Sequence, residues 1–269
     1  MTPNIPKDAY VMIIGAMKSG TTSLYNYLAK HPEICRAKTK EPEFFSKKEE
    51  VPLSLNEYNT LWEFNSEKQK YVIEASTGYT KHTRKRDVPG RIYRTGIRPK
   101  LIYIVRNPFK RIESHYNFMQ KDESWGSDIT QQHLIRASNY YYHLEMYREY
   151  FSREQILLLD FAELKQHPEQ LMKRIQDFLE IERGYMPETF EAKNKTVVQS
   201  GFEKKLKKSL AGFILKKFPQ PLKDAGKKLF RPEKRRLTDS ERERVYTELK
   251  EDMRSLSEVY GFDVKQWGF

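Results

Sequence analysis

The sequence predicts an α/β fold with a mainly parallel central sheet and helices on both of its faces. Apolar runs of strand length recur at residues 11–14 (VMII), 71–74 (YVIE), 101–105 (LIYIV) and 156–159 (ILLL). Segments of helical spacing separate these runs, and such alternation builds a parallel sheet with crossover helices. The first run leads through a glycine-bearing loop straight into a helix, YVMIIGAMKSGTTS at residues 10–23. A chain of 269 residues holds one sizeable core and hardly two. A single domain over 1–269 is expected, with 191–236 as a basic flap or acceptor-side subregion.

The loop after the first strand is the most informative stretch. Gly15 and Gly20 allow a tight turn and a close approach of backbone to ligand. Backbone amides aimed from a helix start at residue 22 make a cradle for a phosphate-like anion. The nucleoside-triphosphate loop, GxxxxGK[ST], has lysine directly after its second glycine. Here Thr21 stands there, and the only lysine lies inside the loop at Lys18. Placed so, it lies beside the first anionic group and its bridging oxygen.

Composition narrows the partners. The formal charge is +12, which favours nucleotides, sulfated or carboxylated glycans, nucleic acid or acidic lipid. Hydrophobic residues make up 38% of the chain and aromatic residues 13%, enough for a packed core. Cys35 is the only cysteine, which excludes an internal disulfide and a cysteine-rich zinc site and fits a reducing compartment. Residues 1–10 lack an apolar signal core, so a soluble cytoplasmic protein is expected.

The remaining elements follow in chain order. A helix over 22–30 stops near His31-Pro32. In KEPEFF, Pro42 pushes Glu41 towards extended backbone, and Phe44 and Phe45 anchor the loop on the core. Glu41 is thereby a carboxylate held near the cradle, flanked by Lys38 and Lys40; a solvated acid paired with a neighbouring lysine is the alternative. The strand at 71–74 ends in Ala75, Ser76, Thr77 and Gly78, small residues that suit a ligand crevice at a sheet's carboxyl edge. Residues 81–98 are basic and partly helical, broken by Pro89-Gly90 and Gly96. The central strand at 101–105 runs into Arg106-Asn107-Pro108, where proline opens a helix.

Arg106 sits on a strand tip and Ser114 about two turns along that helix. If this strand neighbours the first, both close on one anion. Arginine's fork suits phosphate and stays charged. A magnesium-holding strand would end in Asp; this one ends in Arg, so no metal is expected. Residues 121–130 read as a surface loop and 139–151 as an amphipathic, tyrosine-rich helix. Residues 168–179 form a helix with Leu171, Ile175, Phe178 and Leu179 on one face. From 191 to 236 lysine and arginine interleave with apolar residues, the pattern of a membrane-surface segment, a cleft wall for an acidic substrate, or a packed flap. Thr238 with Glu241 is a capping box, the last helix runs to Tyr260, Gly261 ends it, and Trp267 packs the tail back.

These residues resemble a known family. GAMKSGTTSL is similar to the 5′-phosphosulfate loop of PAPS-dependent sulfotransferases. IVRNPFKRIESHYNF resembles their 3′-phosphate motif, and KEPEFF resembles the segment bearing the catalytic glutamate in the heparan-sulfate and bacterial carbohydrate branch. The resemblance spans residues 10–179 and the tryptophan-ending tail. It implies a P-loop-like three-layer fold and the donor 3′-phosphoadenosine 5′-phosphosulfate (PAPS), leaving adenosine 3′,5′-bisphosphate (PAP). It implies that Lys18 contacts the phosphosulfate as a catalytic cation, and that Ser19, Gly20, Thr21, Thr22 and Ser23 form the cradle. Arg106 and Ser114 would hold the 3′-phosphate, Glu41 would be the base, and Lys193 and Lys195 would cover the donor. Three departures stand out: Glu43 where some members have histidine, Ala75 where glycosaminoglycan enzymes often have lysine, and a single cysteine where they close a donor loop by a disulfide. They leave the donor site in place and argue against a heparan-type acceptor.

The expected function is in-line sulfuryl transfer from PAPS to a hydroxyl or amine, on a carbohydrate or glycolipid, with peripheral membrane contact through 204–236. Two rivals are a nucleotide kinase or NTPase, which the lysine and Asp positions disfavour, and a non-catalytic anion- or membrane-binding module. No nucleic-acid recognition motif accompanies the charge.

Overall fold

The computed structural model describes residues 2–46, 54–81, 87–120, 126–186 and 234–269. Five strands form one sheet in the order β2-β3-β1-β4-β5: β1 is Tyr10–Gly15, β2 Ile34–Arg36, β3 Tyr71–Glu74, β4 Lys100–Val105 and β5 Ile156–Asp160. Every strand pairing is parallel. All carboxyl ends therefore lie along one edge.

Alternation along β1 explains the layers. Val11 and Ile13 point into one apolar cluster, and Tyr10, Met12 and Ile14 into another on the opposite face. The first cluster is closed by α1 (Thr21–Leu28), α7 (Phe161–Gln166) and α8 (Pro168–Leu179). The second is closed by α3 (Val88–Arg94), α4 (Pro108–Met119), α5 (Gln132–Arg136), α6 (Tyr140–Arg148) and α9 (Asp239–Tyr260). Both faces of the central strands are buried, so they are mainly apolar, as parallel strands are, with Glu74 at the end of β3 the buried exception. The short α2 (Leu55–Asn59) brings Tyr58 against Phe44, Phe45 and Trp62.

Local chemistry sets the boundaries. The long α9 opens on the Thr238–Glu241 capping box and closes on Gly261, whose φ is 64°. Trp267 is buried against Tyr140 and Phe262, so the tail packs back as the sequence predicts. Three expectations need correction. Pro89-Gly90 opens α3 instead of breaking it, because Asp87 caps the helix and proline stands in the first turn, where its missing N–H costs nothing. Helix α1 starts at Thr21, one residue early, since Gly20 takes the cap position at φ 88°. Ile129 and Thr130 are buried and lead into α5, so that end of the expected surface loop belongs to the core. The segments β2, α2, α5 and α7 are too short for their periodicity to register.

Candidate active site

Chain direction locates the site before any side chain is considered. From β1 the chain leaves towards β2 and β3; from β4 it leaves the other way, to β5. Strands β1 and β4 are neighbours, so their tips form the topological switch point where open α/β sheets hold ligands. The glycine turn hangs from one tip and Arg106 from the other.

The turn is tied to its neighbour. The Ala16 amide donates to the Ile104 carbonyl at 2.7 Å and the Ser19 amide to Ala16 at 3.1 Å. Lys18 takes a left-handed backbone, φ 71°, and its ammonium lies 4.2 Å from the centre of the Phe118 ring. The Arg106 guanidinium donates to the Lys18 carbonyl at 3.0 Å and lies 4.9 Å from the centre of the Phe161 ring. Tyr140 fixes the Arg106 backbone, its hydroxyl donating to the Arg106 carbonyl at 2.6 Å. Burial pulls the Arg106 pKa below its ordinary value, yet guanidinium stays charged at any working pH. Ser19 is fully buried, and among the described residues its hydroxyl has no hydrogen-bond partner. A buried, unpaired hydroxyl is costly in a folded protein. At the bend of a glycine turn, beside a cation, it fits a phosphate or sulfate oxygen.

Phe161, at the β5 tip, is a site residue that sequence reasoning did not single out. Its ring fills the space under Gly20: a Cβ there would fall 2.6 Å from it. The available signal was position, first residue after a strand neighbouring β4. Ser114 lies half-buried on α4, the helix that starts beside Arg106. Thr21, Thr22 and Ser23 form the first turn of α1. Lys193 and Lys195, and residues 204–233, lie outside the described residues.

The Glu41 loop attaches at the tip of β3, on the other side of β1. The Ala75 amide donates to the Lys40 carbonyl at 2.9 Å. Phe44 and Phe45 are buried and anchor the loop, as the sequence predicts. The Glu41 side chain is 40% exposed and ion-paired with Lys40; the Thr77 hydroxyl reaches its other oxygen at 3.5 Å. Glu41 thus pairs with a neighbouring lysine and also faces the small residues that follow β3.

Beneath it, Glu74 is fully buried and accepts from the Tyr58 and Tyr79 hydroxyls, at 2.9 and 2.6 Å, and from Ser76. Burial pushes its pKa up to about 7 against the opposing pull of those three donors. Lys81 lies close to Glu41 and Glu43 in charge terms, and burial lowers its pKa. Neither group was singled out from sequence: Glu74 reads as the end of a strand and Lys81 as one of many lysines. Among the described residues no cluster of His, Cys, Asp and Glu could hold a metal ion, and no helix is long and apolar enough to cross a membrane.

A parallel five-stranded sheet with a glycine turn on one tip and an arginine on the neighbouring tip, both at its switch point, defines the α/β class of the protein. The chain belongs to the sulfotransferase domain family, whose model matches residues 8–212. It is 29% identical over 198 residues to heparan sulfate glucosamine 3-O-sulfotransferase 5 of Mus musculus, covering 67% of this chain and 55% of that protein. It is 32% identical over 133 residues to the membrane-associated sulfotransferase kil1 of Dictyostelium discoideum, covering 46% and 26% respectively. The chain spans about half the length of the 3-O-sulfotransferases it matches. In fold it resembles a sulfotransferase from Alicyclobacillus acidocaldarius, with a TM-score of 0.69, 18% identity, and coverage of 98% of this chain and 100% of that one.

Proposed function

We propose that this protein transfers a sulfuryl group from PAPS to a hydroxyl of a carbohydrate acceptor. The observation that supports the reading best is the 3.0 Å bond from Arg106 to the Lys18 carbonyl, which brings the β4 tip and the glycine turn together, as two walls of one anion site require. The buried, unpartnered Ser19 hydroxyl supports an anion there, and family membership supports a sulfate donor. The glycan acceptor rests on the 3-O-sulfotransferase relatives.

In this reading the turn amides, Lys18 and the hydroxyls from Ser19 to Ser23 hold the 5′-phosphosulfate. Arg106 and Ser114 hold the 3′-phosphate, Phe161 walls the nucleotide, and Lys193 and Lys195 close over it. The acceptor oxygen attacks sulfur as the bond from sulfur to the bridging phosphate oxygen breaks. Glu41 takes the acceptor's proton. Lys18 and the amides stabilise the charge that collects on the leaving phosphate. Remote contacts at the 3′-phosphate contribute positioning.

Calorimetry with PAP tests the donor site, followed by a labelled-sulfate screen of glycan, glycolipid and phenol acceptors. Saturable PAP binding and label on a glycan are expected. Absence of PAP binding, or magnesium-dependent ATP turnover, would remove the reading.

A further inference from the structure

Glu43 occupies an unusual setting for a carboxylate beside a catalytic loop. Its backbone is left-handed, φ 50°, a conformation that non-glycine residues rarely hold without support. Its side chain turns back into its own fold. One oxygen accepts the Gly78 amide at 2.8 Å and the other accepts the Ser46 hydroxyl. The fit against Gly78 is flush: a Cβ at that position would fall 1.9 Å from the carboxylate. The Glu43 amide donates to the Ser76 hydroxyl at 3.0 Å, and that hydroxyl in turn donates to buried Glu74.

These bonds bracket Glu41. On one side the Lys40 carbonyl is held by the Ala75 amide; on the other, Glu43 is held by Gly78, Ser46 and Ser76. Between the two clamps lie Glu41 and Pro42, and proline fixes its own φ. The Glu41 side chain is 40% exposed, ion-paired with Lys40 and 3.5 Å from the Thr77 hydroxyl; Lys40 sits on the clamped backbone and Thr77 lies between Ser76 and Gly78, so the clamps position Glu41 and both of its partners together.

We propose that Glu43, clipped to Gly78 and seated on the Ser76–Glu74 pair, is a positioning residue that sets where the Glu41 carboxylate meets the acceptor. The proposal rests on the reading of Glu41 as base. It also accounts for acid at position 43: both oxygens are engaged within the fold, so the residue acts through the loop.

The test compares Glu43→Ala, Glu43→Gln, Glu41→Gln and the double variant Glu41→Gln/Glu43→Ala, with PAPS as donor and desulfated heparan sulfate as the probe acceptor. Displacing a reacting group by about 1 Å costs on the order of 100-fold, so Glu43→Ala should lower kcat roughly 10- to 100-fold with KM for PAPS unchanged. Glu43→Gln should recover most of the rate, because its amide oxygen still accepts the Gly78 N–H. In the Glu41→Gln background, Glu43→Ala should add no further loss.

Wild-type kcat in Glu43→Ala would overturn the proposal. So would a Glu43→Gln as impaired as Glu41→Gln, since Glu43 would then handle the proton itself. Full Glu41→Gln activity would instead remove the base reading. Amide hydrogen exchange reads the clip without any acceptor: Gly78 should lose protection in Glu43→Ala and keep it in Glu43→Gln. Unchanged exchange at Gly78 in Glu43→Ala would also sink the clip.

Discussion

At the tips of β1 and β4 the candidate groups are cationic, and Ser19 keeps a buried hydroxyl with no hydrogen-bond partner among the described residues. At the tip of β3, the strand on the other side of β1, the groups are acidic and each is bonded within the fold. Glu74 takes three hydroxyl donors, Glu43 an amide and a hydroxyl, and Glu41 a lysine and a threonine. Under the proposed function the difference separates two tasks. A binding cradle needs donors that the fold leaves for the ligand. A proton acceptor needs an address fixed by everything except the ligand.

The sharpest way to break this comparison is Glu41→Gln. General-base loss costs about two to four powers of ten in turnover, while PAP affinity should stay as it was. Turnover near wild type, measured with labelled PAPS, would take the chemistry away from the β3 tip. Arg106→Ala probes the other side. Losing a charge-assisted pair worth about 1.5–3 kcal/mol should weaken PAP roughly 10- to 100-fold by calorimetry; unchanged affinity would detach Arg106 from the anion. Gly20→Ala asks whether the cradle tolerates any side chain. At φ 88°, with Phe161 2.6 Å from the new carbon, it should cost about 1–2 kcal/mol from the left-handed backbone alone. Lowered stability and lowered PAP affinity together are expected; a neutral result would mean the ring moves aside freely.

Glu74 holds its proton up to about 7, against an ordinary value of 4.5. Between those values the folded protein binds more protons than the unfolded chain, so stability falls as pH rises through that window and is level above it. A shift of this size corresponds to about 3 kcal/mol at most. Asp252, which burial raises to about 6, slopes the same way. Denaturant unfolding at pH 5 and pH 8 should show wild type losing more stability than Glu74→Gln over the interval. Equal slopes would mean that Glu74 is ionised throughout.

Much of this molecule was legible along the chain. Apolar runs gave the four longer strands because a parallel strand buried on both faces needs no polar alternation. The capping box and Gly261 bounded α9 because helix ends are set by local hydrogen bonds. Gly15, Gly20, Lys18 and Arg106 could be proposed as an anion site from the chain alone because binding an anion requires particular residue types at fixed spacing. Strand order, in contrast, joins residues far apart in sequence. Nothing local to Arg106 says that it bonds Lys18, 88 positions earlier. Nor does Phe161 declare that it lies under Gly20, or Glu43 that it clips onto Gly78 and not into the cleft. Residue identity determined which chemistry this chain can carry; the tertiary structure decided which groups meet, because a side chain's partners depend on the packing of the whole sheet.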